Sequence, residues 1–212
     1  MAASPAAVFD LNGTLTDPAA IGNPWKNAEL GEAVLTRALQ TAMAETMIGD
    51  FHEFSTHIQQ ALRMEIDRCG LDPGATDDAL AQARELPAFP EVRAALRRLV
   101  DADWRLGVLT NSGADAGRRT LEAAGITGCF EWILGVDAVR LFKPHPDTYA
   151  YAASEIDTDI TFVASHAWDL GGAGRAGFRT ALVTRDRPRS KLFAEPDLVV
   201  ADMGELADVL CP

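Results

Sequence analysis

The stretch AAVFDLNGTL, residues 6–15, begins with a short apolar run that is followed by Asp10. An apolar run of this length, followed by a glycine, predicts a buried strand and a turn. In open α/β sheets, sites form at the carboxyl ends of the strands, so we expect Asp10 to face such a site. Two residues later stands Asn12, an amide that cannot transfer a proton.

The second half of the chain alternates short apolar runs with amphipathic stretches of helical spacing. This alternation predicts a parallel sheet whose strands are joined by crossover helices. After the first strand, the predicted strands are 105–110, 132–134, 160–164, 180–184 and 198–200. We therefore expect an α/β fold, with a Rossmann-like parallel sheet and helices on both of its faces.

Residues 16–87 have a helical pattern throughout. Apolar side chains recur three and four residues apart between 51 and 69, which predicts one helix, and 29–47 predicts another. An insert of this kind after the first strand would cover Asp10. The expected domains are a core made of 1–15 and 88–212 and an all-helical cap made of 16–87.

The composition excludes several classes of protein. Of the 212 residues, 48% are hydrophobic, and the formal net charge is -12. The acidic excess argues against nucleic acid as a partner. No apolar run is long enough to span a membrane and no signal-peptide pattern is present, so we expect a cytoplasmic protein without membrane association. The 3 cysteines lie far apart and predict neither a disulfide framework nor a metal knuckle.

Four short segments bring polar side chains to the same edge of the predicted sheet. Each follows a predicted strand or lies in a loop on that side, so all four can converge on one crevice. They are Asp10 with Thr14, Thr110 with Asn111, Lys143 with Tyr149, and the run SHAWD at 165–169, which contains Ser165, His166, Trp168 and Asp169.

These motifs, in this order and with a helical insert after the first strand, resemble those of the haloacid dehalogenase superfamily. Within it, the chain is most similar to the L-2-haloacid dehalogenases, because Tyr149 follows Lys143 by six residues and AWD closes the fourth motif. The resemblance implies that Asp10 attacks C2 of a short 2-haloalkanoic acid and expels halide with inversion. Water then attacks the Asp10 carboxyl carbon and releases the 2-hydroxy acid.

Asn12 bears on the type of reaction. Phosphatases of this superfamily resemble one another in having an aspartate two residues after the nucleophile, because an alkoxide leaving group needs an acid. A halide ion is a very weak base and needs no proton, so Asn12 favours the cleavage of a carbon–halogen bond. Two alternatives stay open: an Mg²⁺-dependent small-molecule phosphatase, and a non-catalytic protein that binds small carboxylates.

The fourth motif leaves few ligands for a metal ion. The first of the acidic positions that a magnesium-binding motif would fill is Ser165 or His166, so only Asp169 remains beside Asp10. We expect neither a metal nor another cofactor. Asp169 is predicted to orient or deprotonate the water that cleaves the ester, or to act as a carboxylate at a helix N-terminus. Lys143 is predicted to keep Asp10 ionised.

The fourth motif also departs from the resembled pattern. The resembled enzymes have a hydroxyl side chain in place of Ala164 and an asparagine in place of His166. His166 is predicted to exchange a hydrogen bond or a proton with the hydrolytic water, and the alternative is a packing role. Trp168 either packs in the core or lines the halide pocket.

The substrate carboxylate and the halide both need partners. The main-chain N–H of Leu11 and the side chains of Thr110 and Asn111 are candidates for the carboxylate, together with Lys143. Further candidate substrate contacts are Asn12, Tyr149 and Ser165.

The resemblance implies a cap arginine that faces the halide, and Arg37 is the nearest candidate. The alternative is that Arg37 faces solvent. The expected partners are a small anionic 2-haloacid and halide. The resembled enzymes are commonly dimers, so a homodimer is also an expectation.

Overall fold

Six parallel strands form one sheet in the computed structural model, which describes residues 4–185, 187 and 190–211. The order across the sheet is β3-β2-β1-β4-β5-β6, which places β1 at its centre. The strands are β1 Ala6–Phe9, β2 Arg105–Thr110, β3 Trp132–Gly135, β4 Ile160–Ala164, β5 Arg179–Val183 and β6 Leu198–Val200. The predicted Rossmann-like α/β fold is confirmed.

Helices occupy most of the rest of the described chain. They are α1 Ala28–Ile48, α2 Phe54–Cys69, α3 Thr76–Arg84, α4 Val92–Asp101, α5 Ala114–Ala123, α6 Pro146–Glu155, α7 Ala167–Arg175 and α8 Met203–Leu210. A 3-10 segment, Pro18–Trp25, precedes α1. Among the residues described, no helix combines the length and the apolar character that crossing a bilayer requires.

The largest difference from the predicted boundaries is at α2, which begins at Phe54 and not near Phe51. The strand predicted at 180–184 is observed one residue earlier, at Arg179–Val183. Gly49 adopts a left-handed conformation with φ of 83° and ends α1, and the chain is irregular until Phe54. Phe51 nevertheless has helical spacing because its ring stacks on Phe142, with centroids 5.0 Å apart. The spacing of apolar residues shows which positions are buried, and here the buried positions extend beyond the first residue of the helix.

The sheet is covered on both faces, as predicted. Successive residues of a strand point to opposite faces. Ala7 and Phe9 of β1 pack in a cluster with the apolar sides of α4 and α8. Ala6 and Val8 pack in another cluster with α6 and α7. Such two-sided burial explains why the strands read as almost continuous apolar runs.

The helices α1, α2 and α3 pack around a separate apolar cluster, which includes Val34, Ala38, Ile58 and Leu62. Thr16 forms single β-bridges with both Asn12 and Ala88, so the chain leaves the sheet layer and returns to it at nearly the same point. These bridges lie at the limits expected for the cap of 16–87. The division into two domains itself stays a prediction.

Candidate active site

Asp10 lies at the carboxyl end of the central strand, β1. Its main-chain N–H donates to Val163 O of β4 across 2.9 Å, which fixes the start of the turn. The chain runs from β1 to β2 and β3 on one side and to β4 on the other. Asp10 therefore stands where the strand order reverses, which is where open α/β sheets bind ligands.

The Asp10 carboxylate has a partner for each oxygen. Lys143 Nζ donates to Oδ1 across 2.8 Å, and Thr14 Oγ1 donates to Oδ2 across 2.8 Å. His166 Nδ1 lies 3.3 Å from Oδ2. Because Asp10 is 7% exposed, these contacts hold the carboxylate in one orientation.

Lys143 is completely buried, and three acceptors surround its ammonium group. Besides Asp10, it donates to Asp169 Oδ2 across 2.7 Å and to the Leu109 main-chain oxygen across 2.9 Å. An ammonium group has three protons, so the set is complete. A buried charge with full hydrogen bonding is strongly held, and its position between two carboxylates is fixed.

Asp169 lies behind Lys143 and has no exposed surface. Its Oδ1 accepts from the Tyr149 hydroxyl across 2.5 Å, and that hydroxyl also lies 3.1 Å from the Asp169 main-chain oxygen. Tyr149 is itself fully buried. The structure thus places Asp169 as a buried partner of Lys143 and Tyr149 as a partner of Asp169, and neither residue is among the walls of the cavity over Asp10.

The surroundings shift the pKa values of Asp10 and Asp169 in opposite directions. Burial alone would raise the pKa of Asp10, but the Lys143 charge and the His166 hydrogen bond outweigh it, and the pKa falls below its ordinary value. Burial raises the pKa of Asp169 despite the charge of Lys143. Burial alone would lower the pKa of Lys143, whereas Asp10 and Asp169 raise it. At neutral pH the geometry therefore gives an ionised Asp10 beside a charged lysine.

Thr14 and Ser165 join the first and fourth motifs. Thr14 Oγ1 accepts from the Ser165 main-chain N–H across 2.9 Å, and Ser165 Oγ donates to Gly13 O across 2.6 Å. Gly13 has a φ of 88°, and a Cβ there would lie 3.0 Å from His166 Cε1. Thr14 and Ser165 thus position Asp10. The Ser165 hydroxyl is bound to the main chain of Gly13 and does not line the cavity over Asp10.

A small cavity of about 10 Å³ lies over Asp10. Besides Asp10, eight residues line this cavity. Five of them were predicted from the sequence as site residues, and three apolar ones were not. The predicted residues are Asn12, Thr110, Asn111, His166 and Trp168, and the additional ones are Leu35, Leu39 and Phe54. The additional three belong to α1 and α2. Their only sequence signal is helical apolar spacing, which does not separate a pocket wall from a core position.

Some polar groups of the second motif and of the turn after β1 already form hydrogen bonds within the protein. Asn111 Oδ1 accepts from the Lys143 main-chain N–H across 2.9 Å, so its amide NH₂ remains as the donor. Thr110 Oγ1 accepts from Ser112 N across 3.1 Å. Asn12 Oδ1 accepts from Thr16 Oγ1 across 3.2 Å, which is a turn contact. Leu11 is fully buried as a whole residue and is not among the walls of the cavity over Asp10.

The structure does not bring Arg37 to this cavity. Its Nε donates to Glu65 Oε1 of α2 across 2.6 Å, and Arg68 binds the other oxygen of the same carboxylate. Arg37 is absent from the walls of the cavity over Asp10. Trp168, in contrast, both lines that cavity and packs against the apolar cluster of α1 and α2, so its two predicted roles coexist.

Among the residues that the structure describes, no group of three or more His, Cys, Asp and Glu side chains is placed to hold a metal ion. Two carboxylates at this edge, Asp10 and Asp169, both bind Lys143 Nζ. The donor set is thus arranged around an ammonium group.

A family model of haloacid dehalogenase-like hydrolases matches residues 5–177. The chain belongs to the haloacid dehalogenase-like hydrolases. This match covers β1 through the end of α7, and it therefore includes all four motifs.

Two relatives that are named as (S)-2-haloacid dehalogenases match this hydrolase over nearly the whole chain. It is 29% identical to (S)-2-haloacid dehalogenase 1 of Pseudomonas sp. (strain CBS-3), over 97% of this chain and 96% of the relative. It is 30% identical to (S)-2-haloacid dehalogenase H-109 of Pseudomonas putida, over 96% of each chain. The crystal structure of a dehalogenase superimposes with a TM-score of 0.92 and 27% identity, over 99% of this chain and 98% of that one. The resemblance that the motifs predicted is confirmed.

Proposed function

We propose that this hydrolase converts short 2-haloalkanoic acids to 2-hydroxy acids with inversion, through an ester on Asp10. One observation carries the proposal: Lys143 holds the ionised Asp10 carboxylate at 2.8 Å, under a small cavity. Two residues after Asp10, where a phosphatase of this superfamily would have an aspartate, stands the amide of Asn12. The similarity to (S)-2-haloacid dehalogenases supports the same substrate class.

In the first step, an Asp10 oxygen attacks C2 of the acid on the side opposite the halogen. The new C–O bond forms as the carbon–halogen bond breaks, and the electron pair leaves with the halide. No proton moves in this step, so Asn12 does not impede it. Lys143 and Thr14 orient the carboxylate, which converts a bimolecular encounter into a directed attack.

In the second step, water adds to the carboxyl carbon of Asp10. Negative charge develops on a carboxyl oxygen, and the donors on this group, Lys143 and Thr14, are already in position to stabilise it. His166 lines the same cavity and takes the proton from the water. It returns this proton to the departing 2-hydroxy acid, and the remaining proton on Asp10 passes to solvent.

The substrate carboxylate is assigned to two donors that line the cavity, the Asn111 amide and the Thr110 hydroxyl, together with the main-chain N–H of Leu11, which follows Asp10 in the chain. The aromatic edge or the indole N–H of Trp168 faces the halide in this scheme. Arg37 has no part in it, because Glu65 holds its side chain. We also propose that the reaction needs no added metal ion.

Halide release from a panel of chloro-, bromo- and fluoro-acids tests this function. We expect release of chloride and bromide from (S)-2-halopropionates, an (R)-hydroxy acid as product, and undiminished rates in the presence of a chelator. The matched control, Asp10→Asn, keeps the size of the side chain and should release no halide. Metal-stimulated hydrolysis of an aryl phosphate, without halide release from any acid, would support the phosphatase alternative instead.

A further inference from the structure

A second cavity, of about 190 Å³, adjoins the cavity over Asp10. Asn12, Leu35 and Phe54 line both spaces, so the two cavities share part of their wall. The second cavity lies where α2 and α3 approach the N-terminal end of α5, and Ser112 and Gly113 form part of its wall. The site at Asp10 therefore has adjoining space that is much larger than a two- or three-carbon acid requires.

The walls of this second cavity change in character along its length. Its inner part is apolar and suits a methylene chain, with side chains Ile21, Leu35, Phe54, Ile58, Leu80 and Leu86. Arg84, from the end of α3, and Arg119, from α5, also line it, and both are exposed. A ligand that fills this space thus meets an apolar channel first and cationic groups at the rim.

Among the described residues, the two arginines have no anionic partner. In the part of the chain that the structure describes, neither guanidinium group forms an ion pair, a hydrogen bond or a ring contact. Glu53 also lines the cavity, so the three side chains together leave one positive charge along it. This local excess occurs in a protein whose formal net charge is -12. The amino end of α5 also meets this cavity, at Gly113 and Ala116, but its Ala114 N–H already donates to Asp137 Oδ1 across 3.0 Å.

We propose that this cavity binds the remote end of a 2-halo dicarboxylic acid, whose second carboxylate pairs with Arg84 and Arg119. The inference rests on the proposed function, since it places the first carboxylate and C2 over Asp10. The methylene chain lies past Asn12 along the apolar wall. The second carboxylate then supplies the anion that the two guanidinium groups lack.

The test compares 2-bromoadipate with 2-bromohexanoate, which has a chain of the same length but no second carboxylate. We expect the wild-type protein to have a kcat/KM about tenfold higher for the diacid, mainly through a lower KM. Exposed ion pairs of this kind contribute about threefold each, so the Arg84→Ala and Arg119→Ala variants should each lose about that much of the preference, and the double variant all of it. Arg118→Ala is the matched control, because Arg118 is exposed on the same helix but does not line the cavity.

Equal or lower kcat/KM for the diacid in the wild-type protein would overturn the inference. An equal loss for both acids in the double variant would also overturn it, because the arginines would then act as a general attraction for anions. Release of halide from 2-chloropropionate judges the proposed function separately. If no acid releases halide, calorimetric binding of adipate and hexanoate decides: tighter binding of adipate that the double variant loses supports the subsite, and equal binding contradicts it.

Discussion

Lys143 Nζ donates to Asp10 Oδ1 across 2.8 Å, and the lysine side chain has no contact with solvent. A charged ammonium is costly to bury, so this arrangement is stable only while carboxylates surround it. Asp169 is the second of these carboxylates, and Tyr149 in turn holds Asp169. Asp10, the proposed nucleophile, is therefore the outermost member of a buried chain of charge-assisted hydrogen bonds.

Lys143→Met should be the most damaging single change in this chain of contacts. It leaves the buried Asp10 and Asp169 without their shared cation, which costs about 3–5 kcal/mol in the free energy of unfolding. Halide release should fall by about 10³-fold, because the carboxylate loses its main orienting donor. Urea denaturation and halide release measure the two effects.

A double variant separates the two effects. Lys143→Met combined with Asp169→Leu replaces the buried pair by apolar side chains and should recover much of the lost stability. It should not recover turnover. A single Lys143→Met variant that is as stable as the wild-type protein would contradict the buried charge network.

Tyr149→Phe should reduce kcat and leave KM almost unchanged. The variant removes the hydroxyl that binds Asp169 Oδ1 and leaves a buried carboxylate oxygen without that donor, at a cost of about 1–3 kcal/mol in stability. Because Lys143 then loses part of its support, we expect a decrease in kcat of about tenfold. Steady-state kinetics separate the possibilities, since a large rise in KM at constant kcat would place Tyr149 against the substrate.

The fold is the part of the structure that the sequence predicted best. The strand 160–164 and the strand 105–110 were predicted within their observed bounds, because a strand buried on both faces is an apolar run with polar residues at its ends. The convergence of Asp10, Lys143 and Asp169 was also predicted, since carboxyl ends of parallel strands share an edge.

The contacts of residues that do not themselves touch Asp10 could not be predicted from the sequence. Spacing alone does not show that Tyr149 reaches Asp169 from α6 and not the substrate. It does not show that Glu65, on another helix, holds Arg37. These contacts depend on how helices pack together, which short motifs do not encode.

Arg37→Ala should leave haloacid turnover within about twofold of wild type. The side chain binds Glu65 and not the cavity, and Arg68 remains as a partner for that carboxylate. Since the Arg37 side chain is partly exposed, the loss of stability should be at most about 1 kcal/mol. Arg68→Ala is the matched control. A loss of activity of tenfold or more, found for Arg37→Ala alone, would show that Arg37 acts on the halide.

The pH dependence of ester formation should follow the lowered pKa of Asp10. The reactive carboxylate is ionised above its pKa, and Lys143 together with His166 moves this pKa below the ordinary range. The halide burst in single turnover should therefore persist as the pH falls to about 4, the usual value for aspartate. Lys143→Gln removes the largest lowering influence, so its burst should disappear at higher pH than in the wild-type protein.

The same shift predicts a change in stability with pH. A group with a lowered folded pKa contributes stability above its unfolded pKa, and this stability is lost as the pH falls through the folded value. The difference in unfolding free energy between the wild-type protein and Asp10→Asn should therefore shrink below about pH 4. A difference that grows on acidification would contradict the pairing of Asp10 with Lys143.

The covalent role of Asp10 is tested most directly by a single turnover in heavy-oxygen water, with enzyme in excess over (S)-2-chloropropionate. Water that attacks the carboxyl carbon leaves its oxygen in the aspartate, so mass spectrometry should find one heavy oxygen in the peptide that contains Asp10 and none in the lactate. Label in the lactate, with an unlabelled Asp10 peptide, would show that water attacks C2 directly and would contradict the ester mechanism.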